Sequence, residues 1–225
     1  MNLEQEKFDI NNPHDSLFRF VLKIKENALS CIEGHIPSHL LEIMELETLE
    51  ICKDSFIDSK LKDYFSDILY KVNLKDETPA YIYLLFKHKI YYNKYINLKL
   101  LKNIIKIKKI FLKKKKKKKK KDKLPIVLPL VIYHGSDNWQ KSRLSLSSLL
   151  SGPVDKFSEY IPDFKINLID LTAIPDEEIK GTIVYKVMQL LFKHINHINN
   201  EQDWDKLESI LYLLRDLPSK ETGLD

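Results

Sequence analysis

Three residues near the ends of two neighbouring apolar segments could do chemistry together: Asp67, Lys87 and Lys89. Asp67 opens the segment DILYKVNL, and the two lysines flank a histidine at the end of PAYIYLLFKHK. A carboxylate on one strand facing an acid-x-lysine triplet on the next could hold a hard divalent cation, because such ions prefer oxygen ligands. In this sequence the triplet begins with lysine. The position that would supply the second acid of such a site is therefore occupied by Lys87.

A β-hairpin would have to position these residues. Segments 66–74 and 80–89 are rich in Ile, Leu, Val and Tyr, and the stretch between them has turn composition. A hairpin symmetric about Glu77 would pair Asp67 directly with Lys87, with Cβ atoms ~4.5–5.5 Å apart. We therefore expect the Lys87 ammonium to form a salt bridge with Asp67, in the place that a metal would take. The alternative is that Asp67 is an ordinary strand-end acid.

The other segments predict a mixed α/β fold. Asn12 and Pro13 are typical of a helix start, and the apolar spacing that follows predicts one helix ending near Gly34. Strands interleaved with helices, together with one hairpin, indicate a mixed β-sheet with flanking helices. The remaining predicted elements are a short helix after Pro37, an extended segment over 48–58, a helix over 92–113, strands over 124–133 and 164–171, and helices over 176–198 and 204–217.

Positive charge is concentrated in one region. Residues 87–123 contain 18 lysines and one acid, for a local net charge of +17. Because the whole chain carries +5, the remainder carries −12. Such a segment would attract a polyanion without sequence preference. For the run Lys113–Lys121 we favour the alternative of a solvated, extended low-complexity loop.

Composition limits the remaining possibilities. A chain of 225 residues with 44% hydrophobic content can bury a full core. We expect one domain over residues 1–225, with a lysine-rich loop at 113–123 and a helical end from about 176. The polar first residues and the absence of a long apolar run argue against membrane insertion and favour a cytoplasmic location. Cys31 and Cys52 lack partners at metal-ligand spacing, so we expect free thiols.

The sequence resembles the recombination-promoting nuclease, or Rpn, group of transposases, which belongs to the PD-(D/E)XK nuclease superfamily. The resemblance covers most of the chain between Asn12 and Glu178, and the matching segments come in the order of the family. These segments are Pro13-His14-Asp15 with Leu17-Phe18, SDILYKV at 66–72, AYIYLLFKHK at 80–89, LPIVLPLVIYHG at 124–135 and IPDFKINLIDLTAIPDEE at 161–178.

The resemblance implies a restriction-endonuclease-like core and magnesium-dependent cleavage of DNA. Asp67 matches the first metal-binding acid of the family. Lys87 stands where the family has Glu, and Lys89 stands where it usually has Gln. Lysine at position 89 agrees with the acid-x-Lys form of the wider superfamily, whereas a lysine at position 87 would repel the metal.

Other residues have open interpretations. His14 and Asp15 could join the site, or Asp15 could help to cap the first helix while His14 packs nearby. His134 could face a cleft, although we favour a structural role. His194 and His197 could bind a metal from one helix, and a solvated helical face is the preferred alternative. A second acid could also come from another element, with Glu26, Glu33 and Glu50 as candidates.

Two functions follow. The first is an Rpn-type endonuclease whose activity is impaired by Lys87, with a lysine-rich grip on DNA. The second is a non-catalytic relative that keeps the fold and binds DNA or a protein. A polyanion-binding module without nuclease ancestry is a third possibility, and the resemblance argues against it.

Overall fold

The computed structural model describes residues 12–52, 67–87, 95–115, 123–135, 145–195 and 198–217. Contacts divide the chain into two units. One consists of residues 36–170, and the other combines residues 1–35 with residues 171–225. The expectation of one domain over residues 1–225 stays a prediction.

The unit of residues 36–170 is built on a five-stranded mixed sheet in the order β1-β2-β3-β4-β5. The strands are β1 (Met44–Ile51), β2 (Asp67–Leu74), β3 (Pro79–Lys87), β4 (Ile126–Tyr133) and β5 (Asn167–Asp170). The β1–β2 and β2–β3 pairs are antiparallel, whereas the β3–β4 and β4–β5 pairs are parallel. The predicted mixed sheet with flanking helices is confirmed, and it is consistent with a PD-(D/E)XK-like core.

The hairpin of β2 and β3 is confirmed, but its predicted register is wrong. Asp67 pairs with Leu85, not with Lys87. The turn is centred on Asp76, because the Leu74 and Thr78 backbones hydrogen-bond across it. Glu77 takes the left-handed conformation at φ 64°. A three-residue turn of this kind ends in a bulge, which the assumption of symmetry about Glu77 ignored.

Helix α4 (Ile96–Lys115) covers the sheet face that carries Asp67. Its buried side chains include Ile96, Leu100 and Phe111, which pack on apolar and tyrosine side chains of β2, β3 and β4. The predicted helix over 92–113 is thus confirmed, with a later start. Because α4 continues to Lys115, the first residues of the lysine run are helical and not part of a loop. Residues 116–122 lie outside the described residues.

Strand β4 contains Pro129, whose nitrogen cannot donate a hydrogen bond to a neighbouring strand. Pro129 pairs with Tyr83 of β3, while pairing with β5 begins only at Leu130. A proline can therefore be tolerated here without costing a hydrogen bond to β5. The second half of β4 is buried, as expected for an interior strand.

A short helix, α3 (Ser38–Leu41), leads into β1. The short helix predicted after Pro37 is confirmed. The extended segment predicted over 48–58 is β1 as far as Ile51, and its part beyond Cys52 lies outside the described residues.

The second unit contains the helices α1 (Pro13–Lys23), α2 (Lys25–His35), α5 (Ile183–His194) and α6 (Glu201–Tyr212). One helix was predicted from Asn12 to about Gly34, but Ile24 adopts an extended conformation with ψ 124° and divides it. Gly34 lies within α2 and does not end it. Pro13 occupies the first helical position as expected, although the Asn12 side chain makes no capping hydrogen bond.

The joint between α2 and α5 depends on Gly181. Its φ of +123° is unfavourable for other residues, and a Cβ atom there would come within 2.9 Å of the Tyr185 ring. The next residue, Thr182, caps α5 by accepting a hydrogen bond from the Tyr185 amide at 3.3 Å. Its own amide donates to the Ser30 hydroxyl of α2 at 3.2 Å. This joint fixes the entry of α5 against α2.

Cys31 and Cys52, both among the described residues, form no disulfide bond. Burial raises the pKa of the Cys31 thiol to about 12, with a smaller opposing effect from a hydrogen bond with Tyr185. Such a thiol stays protonated and unreactive at neutral pH. In the described part of the chain, no helix is both long and apolar enough to cross a membrane.

Three basic side chains converge on Asp176 in the second unit. Lys193 Nζ lies 2.7 Å from Oδ1, while His194 Nε2 and Lys206 Nζ lie 2.8 Å and 3.0 Å from Oδ2. Burial opposes ionisation of Asp176, but the contacts with Lys193, Lys206 and His194 outweigh it and hold the carboxyl pKa well below its usual range. This ion-pair cluster ties the segment before α5 to both α5 and α6.

Asp176→Asn should destabilise the chain by about 1–2 kcal/mol at pH 7, because it removes a carboxylate shared by two lysine ammonium groups and the His194 ring. The folded-state pKa of Asp176 is depressed, so its contribution is present above the unfolded pKa of ~3.9 and is lost as pH falls below it. Urea unfolding should therefore show a deficit at pH 7 that shrinks at pH 3. Asp205→Asn, which removes an exposed carboxylate from α6, is the control. Equal effects of the two variants would contradict the prediction.

Candidate functional site

Asp67 is the first residue of β2, and its side chain is only 8% exposed. It lies on the sheet face covered by α4. Its direct partner on β3 is Leu85, and Tyr83 lies two residues before Leu85 on the same face. Side chains at such diagonal positions on one face can touch when one of them is long or aromatic. The neighbours of Asp67 are therefore set by the register of the hairpin and by the helix above it.

Two neutral side chains bind the Asp67 carboxylate. The Tyr83 hydroxyl donates a short hydrogen bond to Asp67 Oδ2. From α4, Asn103 Nδ2 donates to the Tyr83 hydroxyl at 2.6 Å and lies 3.5 Å from Asp67 Oδ2. All three side chains are buried, with Tyr83 and Asn103 5% and 6% exposed. We call Asp67, Tyr83 and Asn103 the carboxylate network.

The Tyr83 hydroxyl in this network stays protonated. Burial raises the pKa of Tyr83 well above its ordinary value, and the negative charge of Asp67 raises it further. A protonated phenol donates a hydrogen bond to a carboxylate, and hydrogen bonds with one charged partner are about twice as strong as neutral ones. Tyr83 and Asn103 therefore stabilise the buried negative charge of Asp67 through hydrogen bonds from neutral groups.

Sequence reasoning missed Tyr83 and Asn103. A signal was present for Asn103, since it falls on the same side of the predicted helix as Ile96, Leu100 and Ile104. A carboxamide on a buried helical face needs a polar partner. Tyr83 carried no comparable signal, because tyrosine is common in strands.

The expected direct pairing of Asp67 with Lys87 is corrected by the register. Lys87 ends β3 two residues beyond Leu85 and pairs across the parallel ladder with Tyr133. Strand alternation puts position 87 diagonal to Asp67 on the same face, which corresponds to a Cβ separation of roughly 7–8 Å. The structure describes only the backbone of Lys87, so the expected salt bridge stays a prediction. Lys89 lies outside the described residues.

Another carboxylate stands at the same end of the sheet. Asp170 ends β5 and pairs with Tyr133, which in turn pairs with Lys87. Three strand spacings of ~4.8 Å separate β2 from β5, or about 14 Å in total. Magnesium ligands lie only ~2.1 Å from the ion, so Asp67 and Asp170 are too far apart to share one.

The acids considered as replacements do not complete a metal site. Glu50 on β1 binds Lys71 on β2, with Glu50 Oε1 2.8 Å from Lys71 Nζ. Glu26 and Glu33 are exposed on α2 of the other unit. Within the described residues, no group of three or more His, Cys, Asp or Glu side chains could hold a metal ion.

The candidate histidines have packing or ion-pair contacts. His134 is 1% exposed and stacks on Phe86, with ring centroids 5.0 Å apart. His14 stacks on Phe192 at 5.7 Å, and Asp15 lies in the first turn of α1. These contacts give both rings structural roles.

His194 belongs to the ion-pair cluster of Asp176. Burial lowers its pKa, partly offset by the Asp176 carboxylate. Its proposed metal partner, His197, lies outside the described residues.

Comparison with known proteins assigns this chain to a family. Residues 12–222 match the family model described as "Putative transposase, YhgA-like". The chain belongs to this transposase family. The match covers nearly the whole chain, and it confirms the resemblance that the hairpin and strand segments indicated. No solved structure matches the chain.

Curated relatives of this transposase family carry nuclease names. The chain is 30% identical over 185 residues to recombination-promoting nuclease RpnA of Escherichia coli K12, covering 82% of this chain and 61% of RpnA. It is 29% identical over 188 residues to RpnD of E. coli O157:H7, covering 84% and 70%. A third relative, the inactive recombination-promoting nuclease-like protein RpnE of E. coli K12, is 29% identical over 82% of this chain and 59% of RpnE.

The chain therefore spans about three fifths of the length of RpnA and RpnE. Family membership is shared with proteins named as nucleases and with one named as inactive. The name of the family alone does not decide whether this member cleaves DNA, so the residues of its own site must decide it.

Proposed function

We propose that this chain is an Rpn-type protein that acts on DNA and whose metal-dependent hydrolysis of phosphodiesters is impaired. The observation that carries the proposal is the chemical composition of the candidate site. The Asp67 carboxylate is bound by a protonated phenol and a carboxamide. The position on β3 at which the resemblance implies an acid in the family is Lys87.

These groups fit a magnesium ion poorly. Magnesium requires near-octahedral oxygen coordination and is usually held by one or two carboxylates together with water and substrate phosphates. The described site offers one carboxylate, one of whose oxygens accepts a hydrogen bond from Tyr83. A lysine ammonium close to the carboxylate would repel the magnesium ion over about the same distance range as Asp67 attracts it. We therefore assign no reaction step to a metal in this chain.

The relatives support both the substrate and the impairment. RpnA and RpnD are named recombination-promoting nucleases, whereas RpnE is named inactive. By extension, we propose DNA as the partner of this chain and loss of efficient cleavage as its distinguishing property. At least one relative of this chain, RpnE, is therefore named as inactive.

A second candidate is a fully non-catalytic, DNA-binding or protein-binding relative. The carboxylate network favours it, because Tyr83 and Asn103 give Asp67 a structural role that needs no metal. The two candidates differ only in whether slow, Asp67-dependent cleavage survives.

Metal titration with a cleavage assay tests the proposal. We expect calorimetry with Mn²⁺ to show no difference between the wild type and Asp67→Asn, because the site lacks a second acid. Supercoiled plasmid should remain uncut, or be nicked slowly, in Mg²⁺ or Mn²⁺. Slow nicking that Asp67→Asn removes supports the impaired enzyme, and no nicking supports the second candidate. Tight Mn²⁺ uptake that depends on Asp67, with rapid cleavage, contradicts both.

A further inference from the structure

Five lysines form a continuous row along α4. Successive members lie three or four residues apart, which places neighbours on one side of a helix. We call the row the lysine stripe, and it consists of Lys99, Lys102, Lys106, Lys109 and Lys113. We propose that the lysine stripe holds the phosphate backbone of DNA. The choice of DNA as partner rests on the proposed function.

The stripe is available to a partner while the opposite side of α4 is not. Lys102, Lys109 and Lys113 are exposed, and Lys99 and Lys106 are half-buried. The other side of the helix packs on the sheet through Ile96, Leu100, Ile104 and Phe111. The helix is therefore fixed by its apolar side, which presents the charged side in a constant orientation.

The charge pattern favours a polyanion. Helix α4 contains eight lysines and no acid. Like charges three or four residues apart destabilise a helix by a few tenths of a kcal/mol per pair, and the stripe contains four such pairs. A row of phosphates would relieve this repulsion. Lys99 and Lys113 are 14 residue steps apart, or about 21 Å at ~1.5 Å per residue, along which duplex DNA offers about 12 charges.

Exposed apolar side chains beside the lysine stripe bear on which partners other than DNA could bind there. Leu98, Ile105 and Leu112 are 49%, 44% and 44% exposed and follow one another at seven-residue intervals beside the stripe. A second copy packed on these residues would bring two lysine stripes together, which is electrostatically unfavourable. An anionic membrane would use both the apolar and the basic side chains. The membrane is therefore the alternative that an experiment has to separate from DNA.

The position of α4 connects the stripe to the carboxylate network. Asn103 lies between Lys102 and Lys106 in the sequence, and its side chain bonds Tyr83 and lies close to Asp67 from the inner side of the helix. A backbone held on the outer side of α4 would thus lie about one helix diameter, ~10–12 Å, from the candidate site. The stripe and the site belong to one rigidly packed element pair, α4 and the β2–β3 hairpin.

Binding of a labelled DNA duplex tests the assignment. The triple variant K102Q/K106Q/K109Q should bind about 10²-fold more weakly at 0.1 M salt, and the slope of log K against log salt should fall by about 3. Fluorescence anisotropy in EDTA measures both quantities without cleavage. Because hydrolysis is blocked in EDTA, the result is independent of whether the chain is an impaired or an inactive nuclease.

Matched controls make the assignment falsifiable. K75Q/K156Q/K180Q removes three exposed lysines outside α4 and should retain affinity within about threefold. Circular dichroism confirms that both triple variants are folded, and glutamine keeps the helix propensity of α4. Equal losses from both triples would show that only net charge matters and would overturn the proposal. Wild-type binding to phosphatidylserine vesicles but not to DNA would also overturn it.

Discussion

Lys87→Glu should nick supercoiled DNA in Mg²⁺ at least about 100-fold faster than the wild type. The substitution replaces a cation by a carboxylate at the strand position diagonal to Asp67, so the charge at that position changes by two units in favour of a divalent ion. Removal of a single electrostatic contributor from an active site commonly costs 10²–10³-fold in rate. The rate of conversion of supercoiled to open-circular plasmid, measured at saturating Mg²⁺, gives the comparison directly.

The observed register supports this expectation better than the predicted one did. In the predicted register, the Cβ atoms of residues 67 and 87 would lie only ~4.5–5.5 Å apart, which crowds two carboxylates and an ion. The diagonal position of residue 87 relative to Asp67 raises this separation to roughly 7–8 Å. An aspartate and a longer glutamate can both reach an ion between them at ligand distances of ~2.1 Å.

Two controls separate a restored site from a general charge effect. Lys75→Glu makes the same change of charge in the exposed turn of the same hairpin and should leave plasmid cleavage unchanged. The double variant D67N/K87E should lose the gain, because one carboxylate is again missing. Cleavage by Lys87→Glu that survives Asp67→Asn would show that the activity arises elsewhere in the chain.

Local sequence signals were sufficient to predict the elements of the sheet but not their exact pairing. Apolar segments around turn residues gave β2, β3 and β4 close to their observed bounds, whereas β5 (Asn167–Asp170) is only half as long as the strand predicted over 164–171. The register depended on one residue, because Glu77 adopts φ 64° and shifts the centre of the hairpin to Asp76. A glycine at that position would have indicated the bulge, whereas a glutamate did not.

The carboxylate network depends on contacts that a linear sequence does not encode. Asn103 is 36 residues from Asp67, and the two meet only because α4 packs across the hairpin. The break at Ile24 is a second example, since the apolar spacing continues through it and the two helices α1 and α2 nevertheless separate. Tertiary packing decides both features, and the helical periodicity of apolar residues in the sequence does not reveal them.

The same packing explains why a lysine-rich helix stays ordered as far as Lys115. Repulsion between lysines three or four residues apart disfavours a helix, yet α4 is continuous from Ile96 to Lys115. Burial of Ile96, Leu100 and Phe111 contributes about 1.5–3 kcal/mol for each side chain, which exceeds the few tenths lost per lysine pair. The inner side of α4 therefore stabilises a charged outer side that the isolated helix would not tolerate.

Tyr83→Phe should destabilise the folded chain by about 2–3 kcal/mol. The hydroxyl donates to the buried Asp67 carboxylate and accepts from Asn103, so its removal leaves two buried polar groups short of a partner. Loss of a partner for a buried charged group costs more than the ordinary hydrogen bond of ~1 kcal/mol. Urea unfolding at pH 7 measures the effect as a lower midpoint with an unchanged slope. Tyr160→Phe, at a tyrosine that is 81% exposed, should change stability by less than about 0.5 kcal/mol.

A double-mutant cycle assigns the loss to the contact with Asp67. In the Asp67→Asn background the hydrogen bond has no charged partner, so Tyr83→Phe should cost only about 1 kcal/mol. The coupling energy between the two positions is then at least ~1 kcal/mol. Additive effects would mean that the phenol stabilises the core through its ring alone. In that case groups other than the Tyr83 hydroxyl would hold the Asp67 carboxylate.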